Sequence, residues 1–166
     1  MCNKIAVYAG SFDPFTNGHL QIVKEAAYLF DTVIVVIANN ASKVRKYDLE
    51  QMRIAIRECL KNNNLHNCLV VVHDGLIADY CAEHHAKHLI RGLRNTSDYM
   101  YEENIAKINK EINPNLKTIY FRAENETISS SMVRELMKYG KDISQYVPEE
   151  ILTKMTRSPH FNELSS

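Results

Sequence analysis

The sequence lacks an excess of charge of either sign, a long apolar run and a framework of paired cysteines. Its 20 basic and 20 acidic residues cancel to a formal net charge of zero. That balance argues against a general nucleic-acid binder, which normally carries a basic excess, although a local basic pocket is compatible with it. No apolar run approaches the roughly 20 residues needed to span a bilayer. Neither a nucleic acid nor a membrane is therefore an expected partner.

The cysteines are scattered, at Cys2, Cys59, Cys68 and Cys81. They form no Cys-x-x-Cys pair and show no zinc spacing, which fits a reducing compartment. Lys4 leads directly into a short apolar strand, and these first residues do not resemble a signal peptide. We therefore expect a cytoplasmic protein.

Two further kinds of site are not expected. The sequence has no Gly-x-Ser-x-Gly elbow, so no serine stands in an acyl-transfer setting. His84, His85 and His88 include an i, i+4 pair that could hold zinc on a helix face. No carboxylate with the usual motif spacing joins them, and a solvated helix end is the favoured interpretation. No residue is therefore assigned as a metal ligand.

Short apolar runs alternate with amphipathic segments, which predicts an α/β fold with a parallel sheet and right-handed crossovers. The 166 residues suit one domain, 1–166, in which 158–166 form a loose tail. The sequence shows no internal repeat, low-complexity segment or linker. The predicted strands are 5–8, 33–38, 69–72, 89–90 and 118–121, and the predicted helices are 18–30, 49–60, 76–86, 99–112, 129–137 and 149–155.

Residues 9–19 join the first strand to the first helix through a loop that begins at Gly10. Such a loop presents free backbone N–H groups and the positive end of the helix dipole to one point, which suits a phosphate. His19 lies in the first helical turn and would add a side-chain donor. A tight turn without a function is the plainer alternative.

The loops that follow the strands should meet at one edge, because parallel α/β sheets bind ligands beyond the carboxyl ends of their strands. This edge would carry the loop 9–19, the polar loop 39–47, residues 91–94 and the serines 129–131. The sequence therefore predicts one ligand site built from four separate parts of the chain.

Lys43 and Arg91 are the basic residues best placed at this edge to hold phosphate. An arginine can grip a phosphate with two N–H groups, whereas a lysine acts as a mobile point charge. Arg45 is interpreted as a surface residue.

The segment after the fifth strand leaves two questions open. A plain helix N-cap explains one of the serines 129–131, whereas three hydroxyls together with free N–H groups suit a triphosphate. Arg134 could point at the phosphates or pair with Glu135 or Asp142. Glu102 is either an exposed helix residue or an acceptor for a nucleotide ribose or base.

Residues 10–19 read Gly-Ser-Phe-Asp-Pro-Phe-Thr-Asn-Gly-His and resemble the active-site signature of the nucleotidylyltransferase superfamily. We call them the signature loop. The usual signature ends in His-x-Gly-His, whereas Thr16 gives Thr-Asn-Gly-His here. This form is similar to that of the bacterial phosphopantetheine adenylyltransferases. The resemblance runs to about Met155 and includes Lys43, Leu-Glu-x-x-Arg at 49–53, Ile-Arg-Gly-Leu-Arg at 90–94, Asp98 with Tyr101-Glu102, and Ile-Ser-Ser-Ser-x-Val-Arg at 128–134.

The resemblance implies a Rossmann-like nucleotidylyltransferase fold, with a five-stranded parallel sheet, helices on both faces and assembly into a hexamer. It implies transfer of the adenylyl group of ATP to 4′-phosphopantetheine, which gives dephospho-coenzyme A and pyrophosphate. The acceptor phosphate would attack the ATP α-phosphate in line. Mg²⁺ would be bound mainly through the ATP phosphates, and coenzyme A is a candidate feedback ligand.

The resemblance also implies roles for individual residues. His19, Lys43 and Arg91 would be catalytic, with His19 holding the ATP phosphates and stabilising the transition state. The phosphopantetheine end would be bound by Ser11, Lys43, Ile77 and Arg91. ATP would be bound by Ser11, Phe12, His19, Gly92, Leu93, Arg94, Glu102, Asn125, Glu126, Thr127, Ile128, Ser129, Ser130 and Ser131. Many members carry aromatic residues at the positions of Asn125 and Thr127, which leaves the adenine contacts there open.

Two other functions compete with this one. A nicotinamide-mononucleotide adenylyltransferase or a cytidylyltransferase would share the fold, but those enzymes normally carry His-x-Gly-His, and Thr16 and the motif 91–94 argue against them. A catalytically silent nucleotide-binding module is the other alternative. Such a module need not keep Ser11, His19 and Lys43 together, and it would bind ATP without releasing pyrophosphate.

Overall fold

Five parallel strands form a sheet in the computed structural model, which describes residues 2–156. The strands are β1 (Ile5–Gly10), β2 (Thr32–Ala38), β3 (Cys68–His73), β4 (His88–Leu93) and β5 (Lys117–Arg122). Their order across the sheet is β3-β2-β1-β4-β5, and each neighbouring pair is parallel. The predicted five-stranded parallel sheet is confirmed, and β1, which leads into the signature loop, lies at its centre.

Strand β2 shows why the sheet is covered on both sides. Val33, Val35 and Ile37 belong to a first apolar cluster, and Ile34 and Val36 belong to a second apolar cluster. Each of these side chains is at most 6% exposed. Since successive side chains of a strand point to opposite faces, a continuous apolar run suits a strand with helices on both faces.

The helices divide between the two faces of the sheet. Within residues 2–156 they are α1 (Asn17–Leu29), α2 (Leu49–Asn62), α3 (Ile77–Glu83), α4 (Thr96–Ile112), α5 (Ser130–Lys138) and α6 (Glu149–Thr156). Helices α1, α2, α5 and α6 supply buried residues to the first apolar cluster. Helix α3 supplies the second cluster and contacts α4. The prediction of helices on both faces is confirmed.

Helix starts follow the side chains that cap them. Asp48 and Ser129 each accept a backbone N–H from the first turn of their helix, at 2.9 and 3.1 Å, as the sequence predicts. Helix α4 begins at Thr96, earlier than the predicted start at residue 99, because Asn95 caps it. An asparagine is among the favoured N-cap residues, so this boundary was readable from the sequence.

Strand β3 differs from the buried strand that its apolar sequence predicts. It lies at one edge of the sheet, and Leu69 is 56% exposed. Val70 is the residue of this strand that is buried. An apolar run alone does not distinguish a central strand from an edge strand.

Strand β4 is longer than predicted, because β5 pairs with it from His88 to Leu93. Arg91 and Gly92 therefore lie within a strand rather than in a loop beyond it. This backbone pairing fixes the direction of the Arg91 side chain.

None of the helices within residues 2–156 is both long enough and apolar enough to cross a bilayer. The predicted tail 158–166 lies outside the described residues. The interpretation of residues 1–166 as one domain stays a prediction.

Replacing Ile37 by alanine should lower the free energy of unfolding by about 2–5 kcal/mol, because the change leaves a cavity where a large side chain was. Ile37 is 0% exposed, whereas Leu69 is 56% exposed and provides the matched control. Leu69→Ala should change the free energy of unfolding by less than about 1 kcal/mol. Urea denaturation followed by circular dichroism measures both values. Equal destabilisation by the two variants would contradict these positions.

Candidate active site

A cavity of about 840 Å³ lies where the loops after the strands meet. Its walls come from the signature loop, the β2–α2 loop, the end of β4, the start of α4 and the segment between β5 and α5. This is the convergence predicted from the sequence. The sequence-assigned residues that line the cavity are Ser11, Phe12, His19, Lys43, Arg91, Gly92, Arg94, Glu102, Asn125, Ile128, Ser129, Ser130 and Ser131.

Four assigned residues do not line this cavity: Ile77, Leu93, Glu126 and Thr127. Ile77 packs against the second apolar cluster at the start of α3. Leu93 ends β4, where its carbonyl accepts the N–H of Ala123 at 2.8 Å. The Thr127 hydroxyl donates to Asn125 Oδ1 at 2.7 Å. Their substrate contacts stay predictions.

His19 is held in one orientation by Thr16. The backbone N–H of Thr16 donates to His19 Nδ1 at 2.9 Å, and the His19 N–H donates to Thr16 Oγ1 at 3.4 Å. This reciprocal arrangement is a capping box at the start of α1. Because Nδ1 accepts a hydrogen bond, the proton of the neutral ring is on Nε2. The imidazole therefore offers an Nε2–H donor at the cavity that it lines.

The surroundings of His19 also keep its ring uncharged. The rings of Phe12 and Phe15 lie with centroids 4.9 and 5.5 Å from that of His19. Burial, together with the positive charges of Arg91 and Arg94, lowers the pKa of His19 to about 3. At neutral pH His19 is thus a neutral hydrogen-bond donor. Its local motif alone does not show this, because Arg91 lies in distant β4 and Arg94 directly follows that strand.

Asp13 joins the signature loop to the loop that carries Lys43. Its carboxylate accepts the backbone N–H groups of Lys46 and Tyr47, both at 2.9 Å, and its side chain is buried. No site role was predicted for Asp13, although it lies within the signature loop. Nothing in the sequence pairs this carboxylate with backbone groups 33 and 34 positions away.

Arg45 is not the surface residue that its loop position predicts. Its side chain is 13% exposed. Nη1 donates to the Ser11 carbonyl at 2.5 Å, Nη2 to the Phe12 carbonyl at 3.4 Å and Nε to the Tyr47 carbonyl at 3.3 Å. Burial lowers the pKa of Arg45, while the nearby Asp13 carboxylate opposes that shift. The prediction that Arg45 is a surface residue was wrong, because its partners include backbone carbonyls of the signature loop, which is distant in the sequence.

Arg91 and Arg94 each pair with a carboxylate of α4. Arg91 meets Glu102 through two hydrogen bonds of 2.7 Å and also donates to the Ala9 carbonyl at 2.7 Å. Arg94 Nε lies 3.0 Å from Asp98 Oδ2. Burial alone would lower the pKa of Arg91, but Glu102 raises it above its ordinary value. Glu102 is 8% exposed, so its interpretation as an exposed helix residue was wrong.

Arg134 lines the cavity and pairs with neither Glu135 nor Asp142. Its Nη1 donates to the Asp13 carbonyl at 2.7 Å, and its Nη2 donates to Ser131 Oγ at 3.3 Å. Among residues 2–156 it has no carboxylate partner, so its positive charge is available to the cavity.

The serines at the start of α5 have separate partners. Ser129 caps the helix, and the Ser130 hydroxyl donates to the Pro14 carbonyl at 2.7 Å. Ser131 accepts from Arg134. One N-cap therefore does not account for all three: Ser130 connects α5 to the signature loop, and Ser131 holds Arg134 within the same helix.

In the described part of the chain, no group of three or more His, Cys, Asp or Glu side chains could hold a metal ion. The helix-face pair suggested by the spacing of His84 and His88 does not form, because α3 ends at Glu83 and His88 lies in β4. His84 instead stacks on Tyr80, with ring centroids 3.9 Å apart.

Comparison with known proteins places this chain in a family. Residues 7–136 match the model described as cytidylyltransferase-like. The phosphopantetheine adenylyltransferase of Cytophaga hutchinsonii is 41% identical over 151 residues, which cover 90% of this chain and 99% of that protein. The chain belongs to the phosphopantetheine adenylyltransferase family. The family members from Streptococcus pyogenes, 39% identical over 95% of this chain and 97% of theirs, and Thermotoga neapolitana, 40% identical over 89% and 91%, agree with this.

A solved structure supports the fold of this family member independently. A Vibrio parahaemolyticus protein, described provisionally as a nicotinate-nucleotide adenylyltransferase, superposes with a TM-score of 0.71. The match covers 98% of this chain and 97% of that one, at 18% sequence identity. At that identity the likeness shows the Rossmann-like nucleotidyltransferase fold alone.

In the free protein His19 should stay neutral, with its proton on Nε2, from about pH 8 to about pH 5, whereas an ordinary histidine with a pKa of about 6.5 becomes charged over that range. The cause is burial beside two arginines, with Nδ1 occupied by Thr16. Nitrogen-15 NMR of the imidazole reports charge and tautomer, and His19→Gln assigns the signals.

The lowered pKa of His19 also determines how the free energy of unfolding changes at acid pH. The folded-state pKa of His19 is lowered, so the unfolded chain binds this proton at higher pH, and the contribution to stability is lost as pH falls from about 6.5 towards 3. An NMR titration midpoint at the ordinary histidine value would contradict the assigned environment.

Proposed function

We propose that this protein transfers the adenylyl group of ATP to 4′-phosphopantetheine and forms dephospho-coenzyme A and pyrophosphate. The observation that carries the proposal is the cavity, which brings Ser11, His19, Lys43 and Arg91 together with the serines of α5. Relatives named phosphopantetheine adenylyltransferase that match at 39–41% identity over most of the chain support the same reaction.

The proposed chemistry needs no general base. The nucleophile is an oxygen of the acceptor phosphate, which is largely ionised at neutral pH because its second pKa is about 6. This oxygen forms a bond to the ATP α-phosphorus as the bond from that phosphorus to the leaving pyrophosphate oxygen breaks. A neutral His19 suits such a reaction, because its Nε2–H can donate a hydrogen bond. The ionised nucleophile has no proton for His19 to remove.

Catalysis would then consist of positioning and charge stabilisation. The Nε2–H of His19 would bind oxygens of the α-phosphate as they gain charge. Basic side chains outnumber acidic ones around the cavity, which favours a polyphosphate. The basic ones are Lys43, Arg45, Lys46, Arg91, Arg94 and Arg134, and the acidic ones are Asp13, Asp98 and Glu102.

Lys43 and Arg91 would bind the phosphate of the acceptor. Arg91 is already oriented by Glu102 and the Ala9 carbonyl, so it loses little freedom when it binds. The Lys43 side chain makes no hydrogen bond or ion pair within residues 2–156, which leaves it free to meet a phosphate as a point charge.

Mg²⁺ would be bound mainly through the ATP phosphates, and when bound it would neutralise phosphate charge. The residues present fit this mode of delivery. The cavity carboxylates of Asp13, Asp98 and Glu102 already accept hydrogen bonds from arginines or backbone N–H groups. They are therefore poor candidates for a complete metal cage.

We also propose that copies of the chain associate, with a hexamer as the expected assembly. Helix α4 has an apolar stripe of Tyr101, Ile105, Ile108 and Ile112 at alternating spacings of four and three, and Ile108 is 59% exposed. That spacing suits packing against another helix. Sedimentation velocity should give an oligomer that Ile108→Lys dissociates. A wild-type monomer would disprove the association.

A cytoplasmic location remains part of the proposal. The cysteines are unpaired in the structure, two of them buried, as expected for a reducing compartment.

Pyrophosphate release from Mg·ATP tests the reaction directly. The purified protein would be assayed with 4′-phosphopantetheine, nicotinamide mononucleotide and glycerol 3-phosphate side by side, with CTP as a second donor. Release with ATP and phosphopantetheine alone is the expected result. Release with another acceptor would retain the fold and discard the acceptor assignment, and silence with all three despite ATP binding would indicate a non-catalytic module. Chelation of Mg²⁺ should abolish release, and added coenzyme A tests feedback.

His19→Ala should lower turnover at least about a hundredfold while ATP still binds, as expected for loss of a preorganised transition-state donor. His66→Ala is the control, because His66 is exposed and lies outside the cavity. Steady-state pyrophosphate release and calorimetric ATP binding give the two quantities. Unchanged turnover in His19→Ala would remove this side chain from the mechanism.

A further inference from the structure

Two arginines hold the backbone of the signature loop. Arg45 donates to the carbonyls of Ser11 and Phe12, at 2.5 and 3.4 Å. Arg134 donates to the carbonyl of Asp13 at 2.7 Å. The arginines come from different elements, the β2–α2 loop and α5, and reach the loop after β1. Successive carbonyls of one short segment are therefore bound by guanidinium groups.

Unlike these carbonyls, the backbone N–H groups of the same segment have no hydrogen-bond partner among residues 2–156. Within residues 2–156 the backbone N–H groups of residues 11–13 donate no hydrogen bond. The carbonyl of one residue and the N–H of the next point in opposite directions across a planar trans peptide. The N–H groups of Phe12 and Asp13 therefore point away from the carbonyl oxygens that Arg45 binds, in a loop that lines the cavity.

The loop also holds a backbone conformation that needs support. Phe12 has a φ of 44°, in the left-handed region that residues with a side chain rarely adopt. Such a conformation persists when its surroundings over-determine it. The Phe12 side chain is 2% exposed, and Arg45 binds the carbonyl at the same residue.

The contacts of Arg45 are those that a positioning role requires. Its Nε, Nη1 and Nη2 atoms each donate to a backbone carbonyl, of Tyr47, Ser11 and Phe12 respectively. In addition, Asp13 Oδ1 lies 3.8 Å from Nη2 of Arg45. A single ammonium group could not span these acceptors, because a lysine is a point charge rather than a planar fork.

We propose that Arg45 and Arg134 are positioning residues for adenylyl transfer. Arg45 binds the carbonyls of Ser11 and Phe12 so that the N–H groups of Phe12 and Asp13 are presented to a phosphate, and Arg134 fixes the end of the same segment at the Asp13 carbonyl. The reaction named here rests on the proposed function. The arrangement of the loop does not depend on which acceptor is used.

The test compares Arg45→Lys, Arg45→Met and Arg134→Lys with Arg57→Met, an exposed arginine of α2 outside the cavity. Thermal melting first establishes the folded fraction. Each variant of Arg45 or Arg134 should lower kcat about ten- to a hundredfold, as small misplacements in an active site do, with the KM for ATP and for phosphopantetheine within about threefold of the wild type. Arg57→Met should match the wild type.

A second readout is independent of the acceptor. Addition of Mg·ATP should slow amide hydrogen exchange in a peptide that covers residues 11–16 of the wild type. Arg45→Lys should lose most of that protection while Arg57→Met keeps it. If phosphopantetheine supports no turnover in the wild type, the proposed function fails, and this exchange experiment still decides the positioning role.

Three results would overturn the positioning role. Full recovery of kcat in the lysine variants would mean that positive charge is sufficient. A rise in KM larger than the fall in kcat would make the arginines substrate-binding groups. Lower melting temperatures with normal kcat per folded molecule and normal ATP-induced protection would leave them only a structural role.

Discussion

The cavity depends first on one buried carboxylate. Asp13 accepts two backbone N–H groups of the β2–α2 loop and so connects it to the signature loop. Lys43 lies on the β2–α2 loop, and His19 is the last residue of the signature loop. Neither loop has a regular backbone ladder to fix it, and a buried carboxylate with few hydrogen bonds is costly, so its two N–H partners strongly favour this one arrangement. The central position of β1 supplies the rigid base from which both loops extend.

The positive charge of the cavity is distributed unevenly, because some basic side chains are paired with carboxylates and others are not. Arg91 and Arg94 are each matched to a carboxylate of α4, so they contribute orientation and hydrogen-bond donors more than net charge. Lys43 and Arg134 have no carboxylate partner within residues 2–156. A polyphosphate would therefore meet uncompensated positive charge on the β2–α2 and α5 sides of the cavity and an ordered, nearly neutral wall on the α4 side.

The sequence predicts the elements and their convergence well, because hydrophobic periodicity and cap residues act locally. The β2 run and the caps Asp48 and Ser129 are examples. It fails where a partner is distant in the chain: nothing local shows that Glu102 is buried against Arg91 or that Arg45 binds loop carbonyls. The sequence also does not predict that β3 lies at the edge of the sheet, since its apolar run resembles that of a central strand although Leu69 is exposed.

Helix α4 is attached to the sheet in an unusual way. Glu102 is its buried residue, and its polar bridges run from Glu102 to Arg91, from Asp98 to Arg94 and from Glu103 to Tyr120. Partly exposed pairs such as Arg94–Asp98 weaken as salt screens them, whereas the more deeply buried pair of Arg91 and Glu102 is screened much less. Concentrated salt should therefore loosen the start of α4, where Asp98 lies, while the rest of the helix stays on the sheet. The stretch of cavity wall beside Asp98 would open and close with an ease set by the ionic strength of the solution.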